Sequence, residues 1–563
     1  MRGVPSAAVS RVSQRPLLVR PNIVQVSTRR TSRAPAMATE NNNASISDGS
    51  DWQSLRRQAE GVINLAVGHP HHDALPNEIL ARAFQRAAVN LTEDPCSSQS
   101  STETNLGEKI QMSYVARRGD ANALRVLAEF LTKAYAQVGV CVHEEEAANV
   151  PYEQSDTAQS LLEQSVTPQS LLIVAGASHG LDVACAALTQ PGDTVVVETP
   201  TYFLASDVFR DRQLNVVAVP GKGLIINKHG DDTKQHHSFD VGLFEAKLRA
   251  GGLRPKLVYL VPTHGNPRGG TLPFDDRKRL IKLAREFQFY VVADEVYHLL
   301  SWGTGEDAPP KRFVEVEQIL EREENRGRIL TRGSFSSSSE HEDDPYAEPV
   351  GGDGEEKIDS SRVVSLGSFS KILAPGLRVG WIESSPALMD TIANRGFLSS
   401  GGCVSPLAFS IVAGVIASGD QRVWLENLRN RYESSASALA KAVRLETKQT
   451  KWRLHTTSTK NTPTGGYFAW LTLPETCDMA VFARHAKHER VAFLPGKRCV
   501  AGASDDDVAE RDDDDEEADC FLPNAKQTSC ERCVRLCFAY LEEADIVEGV
   551  ERLARAVRAA DTM

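Results

Sequence analysis

The chain has 563 residues, 41% hydrophobic and 25% charged, with 39 Gly and 27 Pro, a globular composition that excludes a collagen-like or wholly disordered chain. No run of eighteen apolar residues occurs, so the sequence offers no uninterrupted membrane-spanning helix and no membrane partner is expected. The net charge of −12 is local: residues 1–39 carry seven Arg and no acid, residues 340–357 eight acids and one Lys, and residues 503–520 eleven acids and one Arg. The rest is nearly neutral, without the basic footprint of a nucleic-acid binder.

Taken in chain order, residues 1–39 are rich in Arg, Ser and Thr and free of acids, which predicts a transit peptide or disordered leader. A mitochondrial address is the first expectation, a plastid one the second, and Met37 offers an internal start for a cytosolic form. Residues 40–100 read as an N-terminal arm with part of a small domain. The stretch His69-Pro70-His71-His72-Asp73 reads as a polar loop rather than a metal site, since no second ligand cluster accompanies it. Three stretches, Glu144 to Gln169, Gly303 to Ser361 and Ala501 to Gln527, read as insertions and are expected to be mobile surface loops.

Between them, strand-like and helix-like pieces alternate. Strands are predicted at Ser170 to Ala175, Lys256 to Val261, Phe289 to Ala293 and Val363 to Gly367, with helices at Ser178 to Thr189 and Phe274 to Phe287. Buried β-branched runs separated by amphipathic helices predict an α/β fold: a three-layer α/β/α large domain, residues 101–398, around a mostly parallel sheet. Residues 399–563, with short strands at Gly466 to Thr472 and Val534 to Ala539, predict a smaller α+β domain.

Four segments carry chemistry. Ser368-Phe369-Ser370-Lys371, followed by Pro375-Gly376-Leu377-Arg378-Val379-Gly380-Trp381, puts an amine beside two hydroxyls and a guanidinium on a bent loop after a strand. That set suits an aldehyde cofactor bearing a phosphate, the amine forming a Schiff base and the others holding the phosphate. Asp294, in Val292-Ala293-Asp294-Glu295-Val296-Tyr297, ends a strand where open α/β sheets bind ligands, and a carboxylate there keeps a pyridine nitrogen protonated. Tyr297, and Asn266 in Thr263-His264-Gly265-Asn266-Pro267, offer donors to a ring oxygen. Gly176-Ala177-Ser178 opens a helix whose N–H groups form a phosphate cradle.

Together these segments resemble the class I/II aminotransferases, the fold type I group of pyridoxal-phosphate enzymes, and most closely their 2-aminoadipate and aromatic branch. The resemblance covers roughly residues 60–142, 170–302, 362–500 and 529–560. It implies that Lys371 is the catalytic lysine that binds pyridoxal 5'-phosphate and then moves a proton at the substrate α-carbon. It implies cofactor contacts from Ala177, Ser178, Ser368, Ser370 and Arg378 at the phosphate, Asp294 at the pyridinium, Asn266 and Tyr297 at the ring oxygen, and Tyr202 stacked on the ring. It implies that Tyr114 reaches the phosphate of a partner subunit in a homodimer with a shared site. Arg535, in Arg535-Leu536-Cys537-Phe538-Ala539, then grips the substrate α-carboxylate, and Gly68 and Asn266 border the substrate.

Amino-acid and 2-oxo-acid substrates follow, with 2-aminoadipate, aromatic and branched-chain donors open and 2-oxoglutarate the expected acceptor. A lyase on the same scaffold, either a C–S lyase or a cyclopropane-forming synthase, is the alternative. A regulator is disfavoured because residues 1–60 are too few and too polar for a DNA-binding domain. No metal is expected, and Cys530-Glu531-Arg532-Cys533, which resembles half of a zinc or redox motif, is declined as one because Arg535 to Ala539 nearby is committed to a small-domain strand.

Overall fold

The computed structural model describes residues 61–92, 114–138, 166–221, 239–333, 360–401, 405–456, 458–500 and 530–561. The leader and the acidic runs at 340–357 and 503–520 lie outside these residues.

A two-residue strand, β1 (Ile63–Asn64), precedes a seven-stranded sheet built from β2 (Leu171–Val174), β3 (Thr194–Thr199), β4 (Asn215–Pro220), β5 (Leu257–Leu260), β6 (Tyr290–Asp294), β7 (Val363–Ser368) and β8 (Gly380–Glu383). The sheet order is β2-β8-β7-β6-β5-β3-β4. Strands β4, β3, β5, β6 and β7 pair in parallel, while β8 is antiparallel to both β7 and β2. The strands are apolar on both faces because helices cover both. Val195 and Val197 pack into one core cluster and Val196 into the other, and Tyr259 likewise parts from Val258 and Leu260. The helices Ala177–Leu188, Val241–Arg249 and Phe274–Phe287 lie between successive strands.

A four-stranded antiparallel sheet follows, made of β9 (Arg453–His455), β10 (Phe468–Thr472), β12 (Leu494–Pro495) and β13 (Cys533–Cys537), in the order β12-β13-β10-β9. Between β10 and β12, β11 (Val491–Ala492) returns to pair in parallel with β1. This pairing brings residues 63–68 beside the second sheet: Leu65 N donates to Ala492 O, and Cys537 N donates to Leu65 O.

The predicted strands fall within one or two residues of those observed, and the helix Phe274–Phe287 coincides with its prediction. The expectation for Gly303 to Ser361 needs correction. A helix spans Phe313–Gly333, and Phe313, Val314, Val316 and Leu320 are buried in the cluster that holds Phe289, Val291 and Val363. Phe313, Val316 and Leu320 recur at helical spacing, a stripe that the polar composition of the whole stretch conceals. Polar anchoring fixes the helix as well. Arg312 donates to Glu383 at 2.6 Å, and Glu317 accepts from Ser361 Oγ at 2.6 Å and Arg362 N at 2.8 Å. Residues 334–359 lie outside the described residues, as do 144–165 of the first insertion and all of the third. Val166, the first described residue after the first insertion's masked part, is buried and donates its N–H to Thr132.

Candidate active site

Parallel strands β5, β6 and β7 end at the same edge of the large sheet, and the candidate residues gather there. Ser368 ends β7 and caps the short helix Phe369–Ile372, its Oγ accepting from Ser370 N at 3.1 Å and donating to Val379 O at 3.4 Å. That helix carries Lys371, whose Nζ donates to Gly68 O at 3.2 Å and lies 5.1 Å and 5.9 Å from the ring centres of Tyr467 and Tyr297. Burial lowers the amine from its usual 10.5 to about 8, bringing a neutral nucleophile within reach of physiological pH. Arg378 closes the turn: Nη1 donates to Ser370 Oγ at 3.2 Å and to Pro375 O at 3.0 Å, and Nη2 to Ala175 O at 2.9 Å.

Ala177 and Ser178 open the helix Ala177–Leu188, whose N-cap is Gly176 and which has no side-chain cap. Gly176 adopts φ +89°, and a Cβ there would lie 2.6 Å from Arg378 Nη2. Only glycine fits both the backbone and that approach. His179, at the position next to Ser178, accepts from Ala175 N at 3.0 Å.

Asp294, at the C-terminal end of β6, is buried. Tyr259 donates its hydroxyl to Asp294 Oδ2 at 2.8 Å, while Oδ1 is buried without a hydrogen-bond partner. Burial raises the carboxyl from 3.8 to about 6, outweighing the hydrogen bonds from Tyr259 and Val296 that lower it. Tyr202 is hydrogen-bonded to Ser178, and burial raises its phenol to about 12. Tyr297 is buried among aromatics, its ring 5.4 Å from Tyr467 and 6.0 Å from Phe468.

Arg535 projects from β13. Nη1 donates to Asn266 Oδ1 at 2.9 Å, Nη2 donates to Ala66 O at 2.7 Å, and Nε is buried without a partner. The ring of Phe468 lies 4.1 Å from the guanidinium carbon. A Cβ on Gly68 would lie 2.9 Å from Phe468 Cζ and 3.8 Å from Arg535 Nη2, so the glycine leaves the space beside the guanidinium open. Arg535, Asn266, Gly68 and Lys371 therefore form one connected group. Tyr114 stands apart: it is 92% exposed, with its ring against Gly401.

Sequence reading overlooked Tyr259, Tyr467 and Phe468. Each lies in or beside an apolar strand, where an aromatic reads as core; only three-dimensional pairing gives it a second role. The His71, His72 and Asp73 ligand atoms come within 4.8 Å of one another. A cation already occupies that corner, because Arg431 Nη2 lies 3.4 Å from His71 Nδ1 and hydrogen-bonds to Glu542. Cys530, Cys533 and Cys537 are buried thiols, and Cys533 contacts Thr472 Oγ1 at 3.3 Å.

The donor set fits pyridoxal phosphate. A buried acceptor waits at Asp294 Oδ1, an uncapped helix end lies beside Arg378, glycine keeps that corner free of a Cβ, and the Lys371 amine has a depressed pKa.

Solved aminotransferases share this architecture. The multiple substrate aminotransferase of Thermococcus profundus superposes with a TM-score of 0.59 at 24% identity, over 90% of this chain and 94% of its own. A kynurenine aminotransferase of Pyrococcus horikoshii, solved in complex with PMP, superposes with a TM-score of 0.59 at 22% identity, over 90% of this chain and 92% of its own.

Residues 152–553 match the family model for aminotransferase class I and II, and the chain belongs to that family. It is a pyridoxal-phosphate-dependent aminotransferase. An aromatic-amino-acid aminotransferase of Thermococcus litoralis is 27% identical over 507 residues, 89% of each chain. A 2-aminoadipate transaminase of Thermus thermophilus is 26% identical over 389 residues, 69% of this chain and 75% of its own.

Proposed function

We propose that this aminotransferase takes the amino group from an aromatic or 2-aminoadipate-type amino acid and passes it to a 2-oxo acid, with 2-oxoglutarate the preferred acceptor. The observation that carries the assignment of roles is the convergence of a buried amine and a half-unpaired carboxylate at the edge of the large sheet, Lys371 and Asp294, with the buried guanidinium of Arg535 from the second sheet. The names of the relatives from Thermococcus litoralis and Thermus thermophilus support the two donor classes.

When bound, pyridoxal phosphate supplies an electron sink that stabilises negative charge at the substrate α-carbon. Asp294 Oδ1 would hold the proton on its ring nitrogen, and Tyr259 orients the carboxylate by donating to the other oxygen. Arg378, Ser370 and the N-terminus at Ala177 and Ser178 hold the phosphate, with Ser368 bracing the turn from inside. Tyr202 would pack against the ring, and Asn266 and Tyr297 would donate to the ring oxygen.

Arg535 binds the α-carboxylate through Nε and its remaining Nη hydrogens, with Asn266 and Ala66 O fixing its plane. Gly68 leaves room for that carboxylate, and its carbonyl lies within hydrogen-bond reach of the free Lys371 amine. Lys371 Nζ, able to be neutral near pH 8 once substrate has displaced it from the cofactor, would take the substrate α-proton and give it up to the cofactor.

The reading extends to assembly and address. A homodimer gives the exposed Tyr114 a phosphate to reach in the partner, and sedimentation of the purified chain tests it. The Arg-rich, acid-free first 39 residues favour mitochondrial import, tested by locating a tagged full-length chain against one begun at Met37. Donor choice is tested by single-turnover assays with tyrosine, 2-aminoadipate and leucine. Turnover of leucine alone overturns the proposed donor class.

A further inference from the structure

The turn that carries Lys371 is only one helical turn long, Phe369–Ile372, and it ends at Leu373 with φ −143° and ψ −85°. The intrahelical donor for Lys371 O would be the N–H four residues on, but that residue is Pro375, which has none. Two carbonyls are left over at the end of this turn, and distant side chains supply their donors. Tyr467 Oη donates to Lys371 O at 3.0 Å, and Gln421 Nε2 donates to Ile372 O at 2.9 Å.

Tyr467 does more than fill a vacancy in the ladder. It is fully buried, its ring centre lies 5.1 Å from Lys371 Nζ, and it packs at 5.2 Å on Tyr432 and 5.4 Å on Tyr297. It immediately precedes Phe468, the ring beneath the Arg535 guanidinium, and its carbonyl accepts from Phe538 N at 3.0 Å. The same residue thus holds the backbone of the amine-bearing lysine and leads directly into β10, the strand paired with the β13 strand that carries the carboxylate-binding arginine.

We propose that Tyr467 is a positioning residue for the transfer step, tethering the Lys371 turn to the Arg535 sheet so that amine and bound carboxylate keep one spacing. The proposal rests on the reading of Lys371 as the reacting amine. The hydroxyl sets the position of the lysine backbone, and the ring face favours the protonated amine as it forms. Misplacement by a fraction of an ångström lowers the rate of proton movement without loosening the grip on substrate.

The test uses the full-length holoenzyme. Tyr467→Phe removes the hydroxyl alone, and kcat is expected to fall about tenfold, with the donor KM and cofactor affinity within about twofold of wild type. Tyr467→Leu removes the ring as well, and is expected to lower kcat further and shift the acid limb of the kcat–pH profile to lower pH. A Tyr467→Phe kcat within twofold of wild type overturns the proposal. So does a fall in kcat, donor affinity and cofactor affinity together, in step with the folded fraction, which marks a merely structural residue. Lys371→Ala separates the two levels: if it keeps activity the lysine reading fails, whereas an inactive Lys371→Ala beside an unaffected Tyr467→Phe sinks only the tether.

Discussion

Tyr259 and Asp294 lie on adjacent parallel strands, Asp294 two positions beyond the register partner of Tyr259, and the 2.8 Å hydrogen bond between them satisfies one carboxylate oxygen while the other stays buried and unpaired. This asymmetry is costly without a cationic ligand and favourable with one. The cofactor-free protein carries the cost, so it predicts a pH signature. Burial raises the Asp294 carboxyl from 3.8 in the unfolded chain to about 6. A raised carboxyl pKa favours folding at low pH, and that contribution is lost as pH rises through about 6. Above it, ionised Asp294 costs roughly 3 kcal/mol at about 1.4 kcal/mol per pKa unit. In cofactor-free protein, Asp294→Asn should gain melting temperature over wild type as pH rises from about 4 to about 6, and the gain should level off above about 7. A difference between the two that does not change with pH contradicts this. In the holoenzyme the same substitution should cost kcat/KM about a thousandfold, measured in steady state.

Gly176 sits where the backbone needs φ +89° and where a Cβ would meet Arg378 Nη2 at 2.6 Å. Gly176→Ala should therefore displace the guanidinium from Ser370 and Ala175 and weaken cofactor binding by about tenfold or more, read by titrating cofactor-free protein. Donor affinity of the fully loaded enzyme should stay within about twofold.

Arg535 presents a planar fork held by Asn266 on one nitrogen and Ala66 on the other. Arg535→Lys keeps the charge and loses the fork, so the donor KM should rise by about a hundredfold while cofactor binding is retained. Steady-state kinetics with donor varied at saturating acceptor measure it.

The helix Phe313–Gly333 is anchored rather than ornamental. Phe313 is fully buried, with the Arg277 guanidinium 5.5 Å from its ring. Phe313→Ala should destabilise the fold by about 3–5 kcal/mol, as a large-to-small change in a packed core does. Denaturant unfolding of the variant checks this, and a loss below about 1 kcal/mol would show the helix to be peripheral.

Much of the sheet edge was legible because its residues obey local rules. Asp294 ends an apolar run, Lys371 and Arg378 share one bent loop, and Gly176 opens a helix, so each announces itself within a few residues. Arg535 was reached only through family resemblance, since an Arg inside a short strand carries no local signal. What stayed hidden acts across long separations. Tyr259 reaches Asp294 from the neighbouring strand, Tyr467 reaches a carbonyl 96 positions away, and Phe468 gains its role only because β10 pairs with β13. The helix Phe313–Gly333 was hidden differently: one apolar stripe was averaged into a stretch that also contains eight acids within 340–357.

The most direct measurement is the visible absorption of purified protein before and after adding amino acids, alongside Lys371→Ala. Wild type should show a yellow band that the lysine variant lacks, bleached by an aromatic amino acid or 2-aminoadipate and restored by 2-oxoglutarate. A band that persists in Lys371→Ala, or one that no donor bleaches, contradicts it. So does recovery of a bleached band with an elimination product and no need for a 2-oxo acid.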